Sequence, residues 1–132
     1  MEAKTLEEVQ KLFANDRFAT ENGAIIEAVG DHCATCSLVL EARHRNAMGA
    51  VMGGGSFTLA DFAFAVASNW QKIGTVSLHS DIAYLGVAKG TRLIAQASCV
   101  KDGRTTCYYR IDVRDDLGNP VAAVNTTGYH TA

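Results

Sequence analysis

A single proline, Pro120, occurs in these 132 residues, and no repeat, linker or low-complexity tract divides them. The length fits one domain over residues 1–132, large enough for a real core and too small for two. No apolar run is long enough to span a bilayer. The opening Met1-Glu-Ala-Lys-Thr-Leu-Glu-Glu8 carries no apolar leader, so a cytoplasmic protein is expected. Positive charge is not in surplus. The formal net charge is −2, which gives no general attraction to nucleic acid or to an anionic membrane. Metal-ligand spacing is also lacking: Cys33-Ala-Thr-Cys36 stands alone, and His32, His44, His79 and His130 follow no ligand pattern. No metal and no organic cofactor is expected. Cys33, Cys36, Cys99 and Cys107 read as reduced, small packing residues.

What is present begins with Thr5 and Glu8 in capping-box spacing, followed by Leu6, Val9, Leu12 and Phe13 on one helical face. Ala24 to Val29, and then Cys36, Leu38 and Leu40 alternating with Ser37, Val39 and Glu41, predict a first pair of strands. The second half reads as nearly continuous sheet. Val76 to Tyr84, Leu93 to Cys99 and Cys107 to Val113 alternate in period two, and a final strand is expected from Val121 to about Tyr129. Lys101-Asp-Gly-Arg104 carries a hairpin signal, and Asp116-Leu-Gly-Asn119 supplies the next turn. Pro120 falls at a strand entrance, where a missing N–H does least harm.

Between the halves, Asp61 is the only ionisable side chain from Asn46 to Gln71. It stands in a helix whose apolar residues, Phe57 to Ala67, occupy every side, which predicts an element buried all round. A carboxylate in such a place is costly unless it is hydrogen-bonded or does chemistry. Just upstream, Gly49, Gly53, Gly54 and Gly55 expose backbone N–H groups where the helix starts, a ready site for developing negative charge. An acid and an oxyanion donor are the minimal equipment for acyl transfer. A helix apolar on all sides needs cover on all sides. The expected architecture is α+β: an antiparallel sheet curved around one central helix, with a second copy of the chain covering the remainder.

The order Asn46, Gly49, Met52-Gly53-Gly54, Leu59-Ala60-Asp61 resembles the signature of the PaaI-like hotdog-fold thioesterases. Asp81-Ile-Ala-Tyr-Leu85, Lys89-Gly90 and Lys101-Asp-Gly-Arg104 are similar to later segments of the same family, so the resemblance runs from about Leu12 to Tyr129. It implies hydrolysis of acyl-CoA thioesters by a homodimer or homotetramer. The active sites would lie between subunits, each helix start facing the acid of the other chain. Asp61, Gly53 and Asn46 become the candidate catalytic residues, and Met52, Gly54 and Ser68 the candidate substrate-binding ones. Met52 departs from the pattern, since the family usually has histidine there and a thioether is a poor hydrogen-bonding group. That departure leaves a rival reading, a non-catalytic acyl-CoA-binding protein. A hydratase is disfavoured by the same missing histidine.

Helix geometry points the same way as the resemblance. Gly53 and Asp61 are eight residues apart, so on one helix they lie roughly 12 Å apart along the axis. Both cannot reach one thioester carbon, which needs groups at about 3 Å. If they cooperate, they come from two chains. Ser68, seven residues beyond Asp61, shares its helical face. Ser56 makes no nucleophile elbow, because Gly54-Gly-Ser-Phe-Thr58 lacks the closing glycine. Phe57, Phe62, Phe64 and Trp70 can shape an aryl pocket or fill the core. Lys89, Arg92, Lys101 and Arg104 are surface charges able to meet coenzyme A phosphates.

Overall fold

In the computed structural model, residues 3–132 are described; Met1 and Glu2, part of the opening segment read above, lie outside them. The elements in order are α1 (Leu6–Phe13), α2 (Arg17–Glu21), β1 (Ala24–Gly30), β2 (Cys33–Val39), a 3₁₀ turn (Ala42–His44), α3 (Gly53–Asn69), β3 (Thr75–Tyr84), β4 (Arg92–Asp102), β5 (Thr106–Asp115) and β6 (Pro120–His130). The six strands form one antiparallel sheet in the order β1-β2-β4-β5-β6-β3. This is the expected α+β hotdog architecture, with α3 held in the curve of the sheet.

Packing explains why α3 sits there. Leu59, Phe62, Phe64 and Val66 are buried against inward strand residues that include Leu93, Ile111, Val113 and Val124. Burying each such side chain contributes about 2–3 kcal/mol. Phe64 meets Tyr109 edge-on at 5.3 Å, and Phe62 meets Phe13 of α1 at 6.5 Å. Asn69 ends the helix: its Oδ1 accepts from Gly74 N and Thr75 N, and its Nδ2 donates to Thr75 O. Trp70 Nε1 donates to Gly30 O at 2.8 Å, tying the helix end to β1.

Capping of α1 is as expected, with Thr5 and Glu8 exchanging hydrogen bonds. The short α2 and the 3₁₀ turn have no sequence counterpart above. Both are too brief to show a period. A second departure concerns α3, which is not buried all round within one chain. Its Asp61 and Gly54 are exposed, and Phe57, Thr58, Ala65 and Ser68 are half-buried along the same side. The sheet is concave and covers one side of a cylinder; the opposite stripe stays open.

The loops at the far edge are pinned by Asp115, whose side chain is fully buried. Its carboxylate accepts from the Asn119 side chain and from the backbone N–H groups of Lys89, Gly90, Leu117 and Asn119. The Asn119 amide, with these backbone donors, holds its pKa well below the ordinary carboxylate range. Lys89-Gly90, a segment similar to the family's, is therefore fixed by an acid that no local sequence pattern marks.

Candidate active site

The entrance to α3 is built by a small hairpin. Arg45 bridges to Val51, Asn46 N donates to Ala50 O at 2.7 Å, and Gly49 turns the chain at φ +84°. That φ suits glycine because it has no Cβ. Buried His44 anchors the base of the hairpin. Its Nδ1 accepts from Glu41 N, its Nε2 donates to Asn22 O at 2.6 Å, and its backbone O accepts from Met52 N at 2.8 Å. With Nδ1 accepting from a backbone N–H, the ring is oriented by both of its nitrogens.

Met52 is the N-cap and gives the helix no side-chain cap. Gly55 N and Ser56 N both turn back to Met52 O, at 2.9 and 3.4 Å. Gly53 N and Gly54 N have no hydrogen-bond acceptor among the described residues. Two backbone donors at the positive end of a helix of 17 residues therefore stand free for an oxygen carrying negative charge.

The two glycines face different spaces. Gly53 borders a concavity with Tyr84 of β3, and a Cβ on it would lie 2.7 Å from Tyr84 Oη. Gly54 borders the concavity that holds Asp61, and a Cβ there would meet nothing within 4 Å. Gly53 and Asp61 thus line separate concavities of one chain, as their spacing along the helix requires.

Asp61 opens into a depression of about 650 Å³ lined also by Asp16, Phe18, Gly54, Phe57, Thr58 and Phe62. Its pKa is raised, first by loss of hydration against these walls and second by the negative charge of Asp16. Asp16 itself is raised by burial. A carboxylate with a raised pKa beside an apolar wall is a better base than one in water.

Asn46 is exposed, and its Oδ1 accepts from Met48 N and Ala50 N at 2.9 and 3.1 Å. The loop thus uses the acceptor of its amide and leaves the Nδ2 donors without a partner among the described residues. Met52 is 57% exposed beside the helix start. Ser68 donates to Phe64 O at 2.7 Å and borders a different depression near the end of α3. Within one chain it does not reach the Asp61 depression. Of the aromatic residues, Phe62, Phe64 and Trp70 are buried, and half-buried Phe57 faces the depression. Asp16 and Phe18 carry no signal in the sequence, and Tyr84 stands there only within the Asp81-Ile-Ala-Tyr-Leu85 segment, not as a site residue. Their positions depend on how α2 and β3 fold back, and no local pattern reports that.

A family model for the thioesterase superfamily matches residues 48–122, more than half of the chain. The chain belongs to the thioesterase superfamily. Among its relatives is the acyl-coenzyme A thioesterase PaaI of Escherichia coli, 30% identical over 124 residues that cover 92% of this chain and 88% of that one. The solved structure of the E. coli PaaI protein superposes with a TM-score of 0.88 at 25% identity, covering 96% of this chain and 92% of that one. A Streptococcus pneumoniae thioesterase protein crystallised with coenzyme A gives 0.83 at 26% identity, over 91% and 97% of the two chains. A mutant of the phenylacetic acid degradation protein PaaI from Thermus thermophilus gives 0.81 at 29%, over 87% and 99%. This PaaI-like hotdog thioesterase is therefore an enzyme of thioester hydrolysis, and the non-catalytic reading that Met52 encouraged is set aside.

The geometry of the thioesterase gives one expectation here. Gly53→Val forces the exposed Tyr84 ring aside and crowds an incoming carbonyl. Because Tyr84 Oη ends a flexible side chain, the fold should survive. The kcat should fall by about a hundredfold, comparable to losing one oxyanion donor. Steady-state kinetics on variant protein of unchanged oligomeric state checks this. An unchanged kcat would count against Gly53 as an oxyanion donor and leave Gly54 as the candidate.

Proposed function

We propose that the protein hydrolyses acyl-CoA thioesters at sites shared between two subunits. The observation that carries this reading is the pair of acceptor-free N–H groups at Gly53 and Gly54, set on a helix whose open stripe presents Asp61. In the proposed reaction the Gly53 N–H, aided by Gly54, holds the thioester oxygen as charge develops on it. Asp61 of the opposite subunit takes a proton from water, whose oxygen bonds to the carbonyl carbon. The C–S bond then breaks, and the CoA thiolate leaves with the proton that Asp61 returns. Asn46 Nδ2 supplies a further donor at the helix start. Met52 borders the entering thioester as an apolar wall where the family usually has an imidazole.

Subunit sharing has two supports. The open stripe of α3 is too apolar around Phe57 and Ala65 to be an ordinary solvated face. Strand β3 lies at the edge of the sheet with unpaired backbone groups, and Val76, Leu78, Tyr84, Leu85 and Val87 beside it are exposed. Such an edge is a template for a second copy. A homodimer or homotetramer would cover both features. No helix among the described residues is long and apolar enough to cross a membrane.

The direct test is hydrolysis of short, long and aryl acyl-CoAs with release of free thiol recorded. A clear kcat/KM preference for one class would support the reading. Absence of thiol release from every acyl-CoA, with hydrolysis of other thioesters intact, would remove CoA from it.

A further inference from the structure

At the opposite end of α3 from Gly53, three sheet strands and one turn bring together side chains that the thioesterase site does not use. Asp102 ends β4, Cys107 lies opposite it in the register of β5, and His130 ends β6. One ligand-capable atom from each lies within 4.8 Å of the other two. His130 Nε2 is 2.7 Å from Asp102 Oδ1, and His32 Nε2, from the β1–β2 turn, is 3.3 Å from Asp102 Oδ2. Two imidazoles from distant parts of the chain thus aim the same ring atom at one carboxylate.

The opposite ring atoms are also engaged. His130 Nδ1 bonds with Thr75 Oγ1 at 2.9 Å, and His32 Nδ1 with Asp31 Oδ1 at 2.9 Å. Metal-binding histidines are oriented in this way, with the remote nitrogen tied to a hydroxyl or carboxylate. The thiol is also held in place: a Cβ on Gly128 would lie 2.7 Å from Cys107 Sγ, so only glycine there leaves room for it. A simple His–Asp pair would account for His130 and Asp102 alone. It gives no reason for a second imidazole and a thiol to converge there.

We propose that Asp102, Cys107 and His130 bind a divalent transition metal, zinc by the nature of the donors, with His32 as the fourth ligand. Sulfur, imidazole nitrogen and carboxylate oxygen are the donors zinc takes in tetrahedral sites, and neighbouring ligands around it stand about 3–4 Å apart. Asp102, Cys107 and His130 need only small shifts to reach that spacing, and His32, now beside Asp102 alone, would swing in to complete it. On binding, Cys107 gives its S–H proton to solvent, and the metal replaces the proton shared by His130 and Asp102. The thiolate and carboxylate cancel the charge of the ion, which offsets Lys72 and Arg104 beside His32, Asp102 and His130 in the depression near the end of α3. A metal there would fasten the ends of β4, β5 and β6 to the β1–β2 turn. This is a stabilising role, separate from Asp61 and independent of the proposed reaction.

The test titrates chelator-treated full-length protein with Zn²⁺ against a chromophoric competitor and with Co²⁺ as a spectroscopic probe. Expected are one ion per chain, a thiolate-to-cobalt charge-transfer band and the visible bands of tetrahedral cobalt. Zinc should raise Tm by roughly 5–10 °C at about a hundredfold excess over Kd. His130→Ala should weaken binding at least about tenfold, as should Asp102→Asn. Cys107→Ser should remove the charge-transfer band, and Cys33→Ser should change nothing. X-ray absorption on the wild type, which needs no variant to fold, should count one sulfur ligand. No stoichiometric binding, no sulfur ligand, or a band that survives Cys107→Ser would overturn the proposal.

Discussion

Asp61→Asn should abolish thioester hydrolysis while leaving the fold, the proposed oligomer and substrate affinity in place. The amide matches the carboxylate in shape, so the walls formed by Phe57, Thr58 and Phe62 need not move. What it loses is basicity, and with it the means to take a proton from water. Loss of a positioned general base alone removes about 10²–10⁴ in rate. A full loss of measurable turnover, with binding of a non-hydrolysable thioester analogue unchanged, is the expected result. Wild-type turnover in the variant would remove Asp61 from the reaction. The pH profile adds a second reading of the same group. A base acts only when ionised, and the pKa of Asp61 is raised by desolvation and then by Asp16. The acid limb of kcat/KM should therefore fall away above the ordinary aspartate range. Asp16→Asn, which removes the second cause, should move that limb to lower pH.

Mixing two inactive variants should restore activity. If each site joins Gly53 of one chain to Asp61 of the other, a dimer of Asp61→Asn with Gly53→Val carries one doubly damaged site and one intact site. With random exchange of subunits half the dimers are mixed, and each has one good site of two. Activity per chain should recover to roughly a quarter of the wild type, provided exchange is complete and the sites are independent. The measurement is thiol release after co-refolding or prolonged exchange, with mixed dimers verified by native mass spectrometry. Mixed dimers as inactive as their parents would end the shared-site reading. The reason for expecting recovery is geometric: Gly53 borders the Tyr84 side of α3 and Asp61 the depression beyond Gly54.

Elements with a long period were legible in the chain. Alternation from Cys107 to Val113 set one strand, and the apolar stretch around Asp61 set the central helix; both stand where expected. Asp61 stood out because a lone charge in an apolar run has few structural explanations. Asp115 did not stand out, although it is the more deeply buried acid. It sits between Arg114 and Asp116, where charges are ordinary; three of its five donors belong to its own turn, and the other two, from Lys89 and Gly90, reach it only when a distant loop folds onto it. His44 was passed over for the same reason: its partners Glu41, Asn22 and Met52 meet only when the hairpin closes.

Local chemistry by itself determined the helix start at the glycines, the strand faces, the turns at Gly103 and Gly118, and the isolation of Asp61. These follow from side-chain size and period, which act over a few residues. Only the tertiary structure decided which stripe of α3 remains open, that Gly53 and Asp61 face different spaces, and that Asp16 stands near enough to Asp61 to raise its pKa. Only it placed His32 and His130 on one carboxylate, from opposite ends of a chain whose spacing suggested no metal. The physical reason is common to all of these. Burial, charge interaction and coordination depend on distance in space, and sheet order β1-β2-β4-β5-β6-β3 makes neighbours of residues that the sequence keeps far apart.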